Sequence, residues 1–172
     1  MLNILITGAN GQLGRSLQRL GCVSPHNYIC TDVAELDITD AAAVLRTVEE
    51  RRIDVIVNCA AYTDVERAEQ EPETAERINR MAAANLAAAA ARCDATLVHI
   101  STDYIFDGAG EAPFAPDHPP APLGAYGRSK LAGEEGLRAA GGVRQGKKAS
   151  GLRIVRDIGE RPLVNARAAL CA

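Results

Sequence analysis

Leu2-Asn3-Ile4-Leu5-Ile6-Thr7 runs directly into Gly8-Ala9-Asn10-Gly11-Gln12-Leu13-Gly14, and that junction decides the fold. The first six residues are a strand-like aliphatic run. Glycines at 8, 11 and 14 then turn the chain into a helix from Gln12 to Leu20, stopped by Gly21. Glycine permits a sharp turn and lets a pyrophosphate approach the main chain, and the helix start adds free N–H groups and a favourable dipole. Three glycines also suit a plain strand-to-helix turn. Asp32, 18 residues beyond Gly14 at the end of the strand-like run from Tyr28, strengthens the nucleotide reading, because an acid there reaches ribose hydroxyls. Taken alone, it is equally a loop acid. No Lys or Arg follows Asp32 closely, which leans toward NAD or toward loose selectivity between NAD and NADP. Arg15 is the nearest basic alternative for a 2′-phosphate.

The same alternation continues outward from the junction. Asp40 is a good N-cap for a helix from Ala41 to about Arg52. Asp54-Val55-Ile56-Val57-Asn58-Cys59 is nearly all apolar, as a strand covered on both faces should be. Pro72 opens an Ala-rich helix reaching about Arg92, and Ala95 to Ile100 is a fourth strand. Residues 113–122 hold five of the eight prolines and form an irregular loop, after which a helix runs from Gly124 or Ala125 to about Ala140. Gly141 to Gly151 reads as a glycine-rich loop, Leu152 to Val155 as one more strand and Asn165 to Cys171 as a short helix. Strands alternating with helices predict an α/β chain: a Rossmann-like doubly wound parallel sheet with helices on both faces.

Composition agrees. At 172 residues and 47% hydrophobic content the chain can bury one core. Its 31 alanines against six Tyr and Phe and no Trp suit close helix-on-sheet packing. No run approaches the roughly 18 apolar residues of a membrane span. The first segment lacks a basic secretory start, so a cytoplasmic location is expected. Five cysteines without a Cys-x-x-Cys pair are expected to be buried thiols, not a disulfide or metal framework. The net charge of −3 divides unevenly: residues 1–136 carry −9 and residues 137–172 carry +6. The basic segment lacks the interleaved aromatics that base stacking needs, so no nucleic-acid partner is expected.

Two further stretches carry chemistry. Asn58-Cys59-Ala60-Ala61-Tyr62-Thr63-Asp64 leaves the third strand where ligands of a doubly wound sheet sit, and its alanines permit either a cofactor's approach or tight packing. Ser101-Thr102-Asp103-Tyr104 ends the fourth strand, and Tyr126-Gly127-Arg128-Ser129-Lys130 opens a helix. Tyr126 and Lys130, four apart, share one helix face. A neighbouring ammonium favours the ionised phenol, as a group protonating a carbonyl oxygen while hydride arrives requires. Thr102 offers a hydroxyl to the same oxygen. A surface Tyr beside a solvated Lys is the ordinary alternative.

Together these residues resemble the extended short-chain dehydrogenase/reductases and, within them, the dTDP-4-dehydrorhamnose reductase family. The resemblance runs from Leu2 to about Glu135 and includes Leu36-Asp37-Ile38, Val57 to Glu66, Ser101 to Gly108 and Tyr126 to Glu134. It implies NADPH- or NADH-dependent reduction of the 4-keto group of a dTDP-sugar in polysaccharide biosynthesis, with Mg by analogy alone and a homodimer as one assembly. By position, Gly8, Gly11, Gln12, Leu13 and Gly14 would form the cofactor turn, Asp32 would meet the adenosine ribose, and Asp37 and Ile38 would flank the adenine. Ala61, Tyr62 and Thr63 would line the path to the nicotinamide. Thr102 and Asp103 would touch the sugar nucleotide, Tyr126 would give the proton, and Lys130 would hold both Tyr126 and the nicotinamide ribose.

Cys59 stands where family members carry a small residue such as Ala. Members also continue into a substrate lobe through an Arg-x-Ser-Trp-Val-Tyr strand that this Trp-free chain lacks. The expectation is therefore a cofactor-binding unit over residues 1–136 and an atypical basic tail over 137–172, with the substrate lobe truncated or internally deleted. A dinucleotide-binding module without turnover is the alternative to an active reductase.

Overall fold

The computed structural model describes residues 1–109, 114–115, 118–141 and, as backbone, 152–157. Five parallel strands form one sheet in the order β2-β1-β3-β4-β5: β1 Asn3–Thr7, β2 Asn27–Thr31, β3 Val55–Asn58, β4 Thr96–Thr102 and β5 Leu152–Asp157. Alternating with them are α1 Gln12–Gly21, α2 Ala41–Glu50, α3 Val65–Gln70, α4 Pro72–Glu76, α5 Ala82–Cys93 and α6 Ala125–Gly141. Successive side chains of β1, β2, β3 and β4 feed opposite cores. Leu5, Ile56 and Leu97 pack with Val44 and Val48 of α2, Leu86 of α5 and Leu137 of α6. Ile4, Ile6, Val57 and Val98 pack on the other face with Leu17 of α1. Burial on both faces explains why these strands are mainly apolar. The Rossmann-like doubly wound sheet is as expected.

The connection from β1 to β2 runs one way across the sheet and that from β2 to β3 the other, which opens a crevice beyond the carboxyl ends of β1 and β3. Local chemistry sets the helix starts around it. Asp40 caps α2 by accepting from the N–H groups of Ala42 and Ala43, and Asp64 caps α3 through Arg67 N–H. Gly11, at the start of α1, has no side chain to cap with, so that helix presents its first turn of backbone to the crevice.

Three features depart from the sequence expectation. The helix opening at Pro72 is not uniform: a π segment, Arg77–Met81, separates α4 from α5. Helix α3 and a 3₁₀ turn, Asp103–Ile105, occupy stretches without strong periodicity. The four described cysteines are free and none is fully buried: Cys22 is exposed beyond the end of α1, and Cys30, Cys59 and Cys93 are half-buried. The loop expected over 142–151 and the helix expected over Asn165–Cys171 lie outside the described residues. Among the described residues no helix is long and apolar enough to cross a membrane.

The π segment lies under α6. A Cβ built on Gly133 would stand 2.4 Å from the carbonyl oxygen of Asn79, whereas one on Gly136, a turn along, would meet nothing within 4 Å. The two glycines should therefore respond oppositely to alanine. Gly133→Ala is expected to cost about 1–3 kcal/mol of unfolding free energy through overpacking. Gly136→Ala should add about 0.5–1 kcal/mol by relieving the helix of a flexible residue. Urea titration of both variants checks the pair.

Candidate active site

Two cavities open at the carboxyl end of the sheet. The larger, about 540 Å³, is lined by Gly8, Gly11, Asp32, Asp37, Ile38 and Ala61 among the expected residues, and also by Cys59, Ala60 and Arg77. Its floor is a backbone-to-backbone contact. Gly8 has a φ of +64°, and a Cβ on it would lie 2.6 Å from the amide nitrogen of Ala60. Only glycine tolerates both the left-handed conformation and that approach. Gly14 is buried behind the turn, where a Cβ would strike the Gly8 carbonyl at 2.4 Å, so it lets α1 close on β1. Gln12 and Leu13 sit on the first turn of α1 outside the lining, as do Tyr62 and Thr63 beyond β3.

The acids of this cavity are tied to backbone. Asp32 accepts from the N–H groups of Asn10 and Val33, each at 2.9 Å. Asp37 accepts from the hydroxyl and N–H of Thr39, and those bonds hold its carboxyl below the usual range. Burial pushes the Cys59 thiol up to about 12, so it stays protonated. Arg77 lines this cavity, while Arg15, the nearest basic alternative in the sequence, is not among its lining residues. No group of three or more His, Cys, Asp or Glu able to hold a metal occurs among the described residues.

The second cluster forms where α6 meets β4. Lys130 is 2% exposed, and its Nζ donates to the Ile100 carbonyl at 2.6 Å. Burial lowers its pKa to about 8 against the opposing pull of the fully buried Glu134, one turn along, which is paired with Arg138. Tyr126, also buried, packs edge-on to Tyr104 with ring centroids 5.5 Å apart and joins a small core with Tyr62, Ala68 and Ala75. Gly127 fits α6 against the 3₁₀ turn, where a Cβ would meet the Tyr104 carbonyl. This seats Tyr126 beside the turn that follows Thr102. The Thr102 hydroxyl donates to Asp103 and accepts from Tyr104 N–H. Asp103 lines the smaller cavity, about 340 Å³, with Tyr104, Phe106 and Leu123.

Side chains to which sequence reading gave no individual role connect the clusters. Strand register sets Thr7, Asn58 and His99 in one row across β1, β3 and β4. Thr7 donates to Asn58 Oδ1 at 2.7 Å, and Asn58 Nδ2 lies 3.0 Å from His99 Nδ1. His99 Nε2 stands 3.5 Å from Lys130 Nζ. Asn79, on the π segment, accepts from Tyr62 N–H and donates to the Tyr62 carbonyl and to Ser129 of α6. The register between strands would have exposed the first row. The second has no sequence signal, because the π segment shifts the helical phase.

Burial also depresses the pKa of His99, to about 3. The unfolded imidazole takes a proton near 6.5, so between those values protons favour the unfolded chain. Stability should fall as pH drops from 6.5 toward 3, with His99 contributing a slope of up to about 1.4 kcal/mol per pH unit. Denaturant titrations of the chain and of His99→Gln between pH 6.5 and 5 should differ by that slope. Parallel lines would refute it.

A family model, the RmlD substrate binding domain, matches residues 2–154. The dTDP-4-dehydrorhamnose reductase of Mycolicibacterium smegmatis is 45% identical over 138 residues, covering 80% of this chain and 42% of that protein. The crystal structure of the Bacillus anthracis dTDP-4-dehydrorhamnose reductase in complex with NADP superposes with a TM-score of 0.82 at 39% identity, covering 90% of this chain and 52% of that one. The Clostridium acetobutylicum ortholog gives 0.83 at 38% identity, covering 98% and 59%. The chain thus spans about half the length of the relatives it matches.

Proposed function

The chain belongs to the RmlD substrate-binding domain family, and from that membership we propose that it binds NAD(P)H on the glycine turn and protonates a 4-keto dTDP-sugar from Tyr126. The observation that carries this reading is the pairing of the two clusters at one end of the sheet. A backbone cradle that a Cβ on Gly8 would obstruct lies on one side, and Tyr126 above a buried Lys130 lies on the other.

The residues present fit a dinucleotide. Gly11, Gln12 and Leu13 begin α1 without a side-chain cap, so their backbone suits a pyrophosphate. Asp32 is aimed by its two backbone hydrogen bonds to take ribose hydroxyls, and Asp37 and Ile38 flank the adenine end. Arg77 gives the same cavity a cation for a phosphate. Ala61, Tyr62 and Thr63 lead from this cavity toward Tyr126. Bound there, the cofactor supplies the hydride.

In this reading the chain itself handles the proton. Tyr126 donates from its phenol to the carbonyl oxygen as negative charge develops there. Lys130, fixed by the Ile100 carbonyl, stabilises the resulting phenolate and holds the nicotinamide ribose. Thr102 turns its hydroxyl from Asp103 to the substrate oxygen, and Asp103 contacts the sugar nucleotide. The matched relatives bear the name of the reduction of dTDP-4-dehydrorhamnose, and that sugar nucleotide is the proposed substrate.

The purified chain should quench on titration with NADPH or NADH and oxidise it with dTDP-4-dehydro-L-rhamnose. Tyr126→Phe should keep cofactor affinity and lose about 10²–10⁴-fold in turnover. A folded sample that binds neither cofactor at millimolar concentration would overturn the reading. Turnover indifferent to Tyr126→Phe would remove the proton donor, and binding without turnover would leave this chain the nucleotide-binding role alone.

A further inference from the structure

The row Thr7–Asn58–His99 ends on Lys130, and its hydrogen-bonding logic has one solution. Thr7, Asn58 and His99 are each 1% exposed, so bulk solvent does not reach them and their polar atoms must be satisfied within the protein. The Ala60 amide can only donate, and it points at Asn58 Oδ1 from 3.1 Å. Thr7 donates to the same oxygen. The Asn58 carboxamide cannot flip without setting its NH₂ against the Ala60 N–H. Its NH₂ therefore faces His99 Nδ1, which must accept, and the proton of the neutral imidazole is left on Nε2. That N–H is directed at Lys130 Nζ, 3.5 Å away.

We propose that His99 is a positioning residue for Lys130: Asn58 locks its imidazole as the Nε2–H tautomer, so the lysine nitrogen meets a donor on its β4 side. An ammonium has no lone pair to accept that N–H, whereas the amine has one and can still donate to the Ile100 carbonyl. The row thus weakens Lys130's hold on its proton and turns its remaining N–H bonds away from His99, one of them to the Ile100 carbonyl. Among the described residues, the charged group acting against this is Glu134, one turn along α6. The inference deepens the reading of Lys130 given above, and its significance for catalysis rests on that reading. The tautomer itself needs neither cofactor nor substrate.

The test is NMR on the uniformly ¹⁵N-labelled 172-residue chain, with Lys130 also labelled at Cε, in the absence of nucleotide. Long-range ¹H–¹⁵N spectra should show His99 protonated at Nε2 and bare at Nδ1 across pH 6 to 8. In Asn58→Asp the carboxylate can only accept, so the proton should move to Nδ1 and a lone pair should face Lys130. Lys130 should then bind its proton at least about tenfold more tightly, a shift of one pH unit in its titration. Asn58→Ala, which adds no charge, should release the tautomer and move the lysine in the same direction. A proton on Nδ1 in the unaltered chain overturns the proposal. So does a Lys130 titration unmoved in both variants, which is what a merely structural His99 would give. If neither variant folds, the spectrum of the unaltered chain decides alone. Failure of NADPH oxidation, by contrast, would strike the proposed function and leave the tautomer standing.

Discussion

A lysine nitrogen inside a protein must be given partners, and the seating of Lys130 organises much of what surrounds it. Its Nζ reaches the Ile100 carbonyl only because α6 lies close on β4 and on the π segment. That closeness requires glycine at 127 and 133, where a Cβ would strike main-chain carbonyl oxygens. Removing an ammonium from water costs several kcal/mol even after relaxation. Glu134, fully buried and paired with Arg138, offsets part of that cost, and the Ile100 carbonyl another part. The start of α6 is held from outside by Glu69 of α3, which accepts from Ala125 N–H and lies 3.8 Å from Arg128. An ionisable side chain thus sits at a helix approach that depends on two glycines.

The glycine turn answers a different requirement with the same residue. There the close approach is between Gly8 and the Ala60 amide, and between α1 and the turn at Gly14. Both approaches lie at the carboxyl end of the sheet, and the row Thr7–Asn58–His99 runs from beside them across three strands to Lys130. The two halves of the candidate site therefore share a rigid base. Thr7, Asn58 and His99 are linked by hydrogen bonds inside the protein and cannot reorganise independently of one another.

What was legible in the sequence followed from requirements that fall on one residue type. Ile4-Leu5-Ile6 and Val55-Ile56-Val57 announce strands covered on both faces, Asp40 announces a cap, and Gly8-x-x-Gly11-x-x-Gly14 announces a tight turn. Tyr126 and Lys130 share a helix face for the same reason of simple spacing. Asn58 and His99 look like interruptions in apolar strands until register aligns them with Thr7. Arg77 lies 45 positions beyond Asp32, and only the fold brings both to one cavity. The exposed Cys22 escaped notice because composition ranks cysteine among buried residues without regard to its place past a helix end.

The π segment has a last consequence, which concerns phase. A regular helix advances about 100° per residue, so its faces repeat with a fixed period. The wider turn at Arg77–Met81 interrupts that count, and Asn79 points inward to Tyr62 and Ser129 while Arg77 reaches the large cavity. Helix α4 keeps Ala75 in the small core around Tyr126, and α5 keeps Leu86 in the main core. One continuous stretch of chain thus serves two cores that a strictly regular helix would present out of step. Forcing that turn into regular α geometry without removing a residue would rotate one of its halves by about a quarter turn relative to the other. In this helix, then, length is a form of information that no individual side chain carries.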